Sequence, residues 1–139
     1  MPSALFAQLE NLSIKCPFTE LIFIKKDTTK FHYEERGDGL IMVSKTDSFV
    51  LSGVDGVVTN IEREEDGKYG FVLYKKVNKT DYYLWYSGLH KLFVKKNDKI
   101  RSGQQLGIIK PGDELTLMLF DDATPIDSKK FLACNTSEK

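Results

Sequence analysis

From Pro17 onward the chain is a succession of short runs rich in β-branched and aromatic residues, parted by clusters of Gly, Asp, Asn and Lys at hairpin spacing. The runs are 20–26, 30–35, 40–44, 48–52, 56–63, 69–77, 82–87, 92–95, 105–109, 114–120 and 129–133. None is long enough for a core helix, and a chain with this rhythm is restricted to an all-β fold of antiparallel strands. Glu65-Asp66-Gly67-Lys68 places an Asp-Gly turn between two runs, and Asn78-Lys79-Thr80-Asp81 reads as a four-residue polar loop between two more, so 56–63, 69–77 and 82–87 form a meander. In 114–120 both alternating faces are apolar, Leu115, Leu117 and Leu119 against Thr116, Met118 and Phe120. Such a strand belongs in the middle of a sandwich, covered on both sides.

Before Pro17, Ser3 caps a predicted short helix with Leu5, Leu9 and Leu12 on one stripe. Residues 1–45 are read as this helix and added strands packed on the core, 46–134 as the main β-sandwich, and 135–139 as a flexible tail. The 139 residues suit a single domain, and no apolar run is long enough to span a bilayer, so membrane insertion is not expected. Twenty basic residues balance twenty acidic ones, which removes the bulk attraction to phosphate that non-specific nucleic-acid binding needs. Lys75, Lys76, Lys95, Lys96, Lys99 and Arg101 make a local basic surface, offset by Glu62, Glu64, Glu65 and Asp66 in the adjacent hairpin, a pattern that usually marks solvated strand ends. With no secretory leader pattern at the amino terminus and only Cys16 and Cys134, the expectation is a cytoplasmic protein with two reduced thiols.

Three stretches in a fixed order carry a resemblance. Val50-Leu51-Ser52-Gly53-Val54-Asp55-Gly56-Val57-Val58 resembles a strand-turn-strand "V-x-A-x-x-D-G-x-V". Tyr86-Ser87-Gly88-Leu89, followed by residues 94–107, resembles "Y-x-H-L … V-x-x-G-D-x-V-x-x-G-Q-x-I-G", and 114–120 with Pro125-Ile126-Asp127 resembles an "H-x-H-F-E" strand and its trailing "P-V-D-P". Together they are similar to the lysostaphin-type (LytM-like) zinc endopeptidases over residues 46–132, which implies a barrel-sandwich, or duplicated hybrid, scaffold. The turn pattern is shared with biotinyl and lipoyl carrier domains, but this chain has no Met-Lys-Met or Asp-Lys-Ala for a prosthetic arm, and no motif supports a phosphotransfer histidine. No cofactor is expected.

The resemblance implies a zinc site built from four histidines and an aspartate; this chain has two histidines, His32 and His90. Carried over position by position, the "Y-x-H-L" histidine falls on Gly88, the two of "H-x-H" on or near Glu114 and Thr116, the aspartate on Ile41 with Asp38 nearby, and the upstream histidine around Gly37. Glycine, threonine and isoleucine do not replace imidazole or carboxylate as zinc ligands. His90 stands two residues past the expected place, about 7 Å along a strand, far outside a zinc–nitrogen bond. The reading is therefore a non-catalytic peptidase-like binding or scaffold module that engages a protein or peptidoglycan-like partner. Its groove has Thr116, Met118 and Gly88 as floor, with Glu114 beside them and Trp85 and Tyr86 as walls. The alternative is a metal-dependent hydrolase with a relocated site drawn from His32, Asp38, Glu114 or His90.

Overall fold

The computed structural model describes residues 12–20, 22–27, 39–127 and 131–134. The N-terminal helix expected from Ser3, the strand at 30–35, His32, Asp38, Gly37 and the tail 135–139 lie outside the described residues. The described residues are almost wholly β, as the turn-punctuated sequence requires. In chain order the strands are β1 Ile14–Lys15, β2 Ile22–Asp27, β3 Gly39–Ser44, β4 Phe49–Leu51, β5 Gly56–Arg63, β6 Tyr69–Val77, β7 Thr80–Leu89, β8 Lys91–Leu92, β9 Lys99–Ile100, β10 Gln105–Ile108, β11 Glu114–Asp121, β12 Thr124–Ile126 and β13 Leu132–Ala133.

The large sheet runs β2-β3-β11-β7-β6-β5-β9, with β12 added on β11, and all its pairings are antiparallel. A smaller antiparallel sheet, β4-β10-β8, covers one of its faces. Residues directly across from one another share a face, and the inner face is read off the register as a continuous row. Leu117 stands across from Leu40 and Tyr86, Tyr86 from Phe71, Leu119 from Leu84, and Leu84 from Leu73. All are fully buried, and Val50 and Leu106 of the small sheet close the core from the other side. β11 is central, as its two apolar faces require, with β7 on one edge and β3 and β12 sharing the other.

Several local readings change. The loop after β6 is a two-residue turn, because Val77 pairs with Thr80 and Asn78 takes the left-handed φ of 57° that closes so tight a hairpin; Thr80 and Asp81 are already strand. The glycines of the Asp55-Gly56 and Gly103 turns serve different ends. A Cβ on Gly56 would lie 2.5 Å from the Tyr74 carbonyl oxygen, so Gly56 serves close approach, whereas Gly103 has open space around it and is required by its φ of +88°. Strands β1, β9 and β12 are too short for a periodicity to reveal.

The expectation of two reduced thiols is overturned: Cys16 and Cys134 form a disulfide across a sequence separation of 118, with Cα atoms 4.8 Å apart. The cause is non-local. β1 and β13 pair in parallel, Ile14 with Leu132 and Lys15 with Ala133, which brings the next residue of each strand, Cys16 and Cys134, together. The same segment docks on β4, since Lys15 N–H donates to the Gly53 carbonyl (3.0 Å) and Leu51 N–H to that of Pro17 (2.9 Å). Leu12, Ile14 and Phe18 are buried in the common core. Asp47 adds a polar tie, accepting hydrogen bonds from the Ser44 and Thr19 hydroxyls and the Thr19 and Glu20 N–H groups. Although partial burial pulls the other way, these bonds hold its carboxyl below the ordinary value.

Cross-linking residues so far apart removes much of the unfolded chain's freedom, so C16S/C134S is expected to lose about 2–5 kcal/mol of stability. Urea unfolding of the wild type with and without reductant, beside the double variant, measures this; the variant's midpoint should be insensitive to reductant.

Candidate functional site

Every second residue of the large sheet points away from the core, and these residues form the face on which a site can be built. Register defines its rows. Thr116 stands across from Ile41 on one side and Ser87 on the other, and Ser87 stands across from Gly70. In the next row Met118 faces Trp85 and Trp85 faces Val72; beyond it lie Phe120, Tyr83 and Tyr74. Glu114, across from Val43, closes the other end and is exposed.

This geometry gathers four of the positions that the resemblance assigned to zinc; the one around Gly37 lies outside the described residues. Ile41 and Thr116 are direct cross-strand neighbours, Glu114 is two residues along the same strand face, and Gly88 follows Ser87 beside them. These four positions do not fit a zinc ion, since they offer one exposed carboxylate, Glu114, and no imidazole. Among the described residues no group of three or more His, Cys, Asp or Glu is placed to hold a metal ion.

Gly88 is more than a missing ring. Tyr69 pairs with Leu89 and Gly70 with Ser87, so Gly88 is the extra residue of a β-bulge. Its φ is +107°, and a Cβ there would sit 2.6 Å from the Glu114 carbonyl oxygen. The backbone has closed into the space that a side chain at this position would enter.

The other groove residues divide between the two faces. Trp85 and Thr116 lie on the outer face and are half-buried. Met118 shares that face but is only 1% exposed, so it is covered and is not an open floor. Tyr86, expected as a wall, points the opposite way, because neighbouring strand residues alternate. It is fully buried, stacked on Phe71 with centroids 5.0 Å apart, and its hydroxyl accepts the Gly53 N–H at 3.2 Å. Burial pushes its phenol up to about 12. It is a core residue.

Two polar contacts on this side escaped the sequence reading. The Ser87 hydroxyl donates to Glu64 Oε2, bringing a carboxylate from the end of the β5–β6 hairpin over the Thr116 row. His90 lies just after β7, and its Nε2 is 2.8 Å from Asp113 Oδ2, with Lys68 Nζ 3.6 Å from the same oxygen. The His90 hydrogen bond, with Lys68 and Lys110 adding charge, holds the Asp113 carboxyl below its ordinary 3.8. Alternation could have put Ser87 beside Trp85; only the fold brings Glu64 to Ser87 and Asp113 to His90.

Two outcomes follow. Gly88→His should not create a zinc site and should cost about 1–3 kcal/mol through forced backbone strain, seen as a lower melting temperature with no zinc retained by elemental analysis. Asp113, followed by carboxyl-carbon NMR, should titrate below 3.8 and move back towards it in His90→Ala. Because its folded value is depressed, the contact's contribution to stability is present above the unfolded value and is lost as pH falls through the folded one.

By sequence alone, the chain matches no family model and no curated protein. By structure it is similar to Helicobacter pylori Csd3 (TM-score 0.66, 20% identity, covering 88% of this chain and 34% of that one). It is similar to the same degree to the M23 metalloprotease pseudoalterin (TM-score 0.66, 10% identity, 88% and 79%). A chain in the SpoIIQ–SpoIIIAH pore-forming complex is also similar (TM-score 0.64, 15% identity, 87% and 91%). This chain thus spans about a third of Csd3. The M23 metalloprotease and lysostaphin structures among these neighbours establish its architecture: it has the fold of the lysostaphin-type peptidases.

Proposed function

We propose that this chain is a non-catalytic peptidase-like module that engages a protein partner through the outer face of its large sheet, around Trp85, Ser87, Thr116 and Glu114. The observation that carries the proposal is the row Ile41–Thr116–Ser87 with Gly88 in its bulge. The fold gathers four of the positions where the resemblance demands zinc ligands, and the side chains at these described positions do not make a metal cage that activates water. A half-buried tryptophan beside threonine, serine and an exposed carboxylate is chemistry suited to holding a polypeptide. One structural neighbour comes from a complex named for two proteins, SpoIIQ and SpoIIIAH, which is consistent with this scaffold serving in an assembly.

The disulfide supports a working place in an oxidising compartment, where such bonds persist, in place of the cytoplasm. The relocated-hydrolase reading draws no support from His90, whose ring is engaged with Asp113.

The purified protein is expected to hold no stoichiometric zinc and to leave peptidoglycan cross-bridges intact. Elemental analysis and a cleavage assay in added zinc test this. Stoichiometric zinc that disappears on replacing His32 or His90, with cleavage lost in step, would establish the hydrolase instead.

A further inference from the structure

We propose that the cleft where β5, β6 and β9 meet is a binding site for a phosphate-bearing polyanion. It is an open cleft of about 540 Å³ on the opposite side of the Trp85 row from Thr116 and Glu114, and it does not depend on the partner-binding reading above. Val57 stands across from Lys99 on one side and from Tyr74 on the other, so the three share one face. Lys76, two residues beyond Tyr74, alternates back to that face; Arg101, just after β9, also lines the cleft, as does Lys75 from a strand position that alternates to the other face. Four cations and one carboxylate, Asp55, therefore line one cleft on a chain whose net charge is +0.

The acids nearby offset this field only in part. Asp55, the carboxylate that lines the cleft, accepts the Ser102 N–H through Oδ1 at 2.7 Å, and Asp81 accepts the Tyr74 hydroxyl at 2.6 Å while lying 3.8 Å from Lys76 Nζ, an exposed pair of the weakly coupled kind, so cations remain in excess. Among the described residues no carboxylate pairs with Lys75, Lys99 or Arg101. Converging cations in a concave surface focus the potential and raise the local concentration of anions.

Lysine ammonium groups bind phosphate as point charges, and the one arginine can fork onto a phosphate or a carboxylate, so the cations admit phosphate and two further features narrow the ligand class. An acidic peptide would gain most by pairing with the sheet edge, but β9 is only two residues long and runs into a turn at Ser102-Gly103. A nucleobase would need a free aromatic face, and the Tyr74 ring packs against Tyr83 at 5.3 Å with its hydroxyl tied to Asp81. The ligand class is thus a base-free chain of phosphates or phosphodiesters.

The test is calorimetric titration of the full chain with sodium tripolyphosphate at low salt, with amide shifts in NMR locating the site. Binding should weaken as salt rises. It should fall about tenfold in K99E/R101E, equal to about 1.4 kcal/mol, and stay within about twofold in K91E/K110E, which carries the same charge change outside the cleft. Pyrophosphate binding as well as the longer chain would point to a small soluble phosphate compound, and a glycerol-phosphate polymer binding more tightly with length would point to a polymer; either supports the site. No binding by the wild type, equal loss in both double variants, or equal binding of poly-glutamate would overturn it. None of these outcomes bears on zinc content or on cleavage, so this proposal and the preceding one can fail separately.

Discussion

The double-sided burial of β11 is the constraint on which the rest of the molecule depends. Leu115, Leu117 and Leu119 face the small sheet with no exposed surface, and on the other side Met118 is almost as covered. A strand buried in this way must find partners for its backbone along both edges, and β7 on one side with β3 and β12 on the other supply them. Once those pairings form, the period of two decides which residues of β3 and β7 meet the core and which meet solvent, since a one-residue slip would turn every leucine outward. The position of Thr116 beside Ile41 and Ser87 is therefore a by-product of packing on the opposite face.

What the sequence made legible follows from this locality. Gly56–Arg63 and Tyr69–Val77 are strands with the limits that their composition and the Asp66-Gly67 turn suggest, because hairpin neighbours carry their own register signal. Tyr86 holds a motif position that suggests a wall, but strand alternation sets it opposite Trp85 and carries it into the core. The Gly88 bulge, the contact of Glu64 with Ser87 and the hydrogen bond between His90 and Asp113 all join residues distant in sequence. No periodicity encodes such meetings. The disulfide is the extreme case, since its partners are 118 residues apart and meet only through two-residue strands.

The outer face also shows which positions the backbone constrains and which it leaves open. The turns at Asp55-Gly56 and Asn97-Asp98 are needed by the backbone: Gly56 lets β6 pass close by, and Asn97 holds a φ of 77°. Ile41 and Thr116 have no such backbone duty, so their side chains can vary without disturbing the fold. Gly88 is constrained again, because its backbone lies so close to the Glu114 carbonyl that no Cβ fits.

The covalent link between Cys16 and Cys134 has a mechanical consequence. Tension applied to chain flanking these two residues would pass through the sulfur–sulfur bond and leave the intervening sheets unloaded. The two cysteines sit together where β1 lies beside β13. Load carried between them would not peel the β11-centred sheet strand by strand, so the outer face would keep its shape under tension.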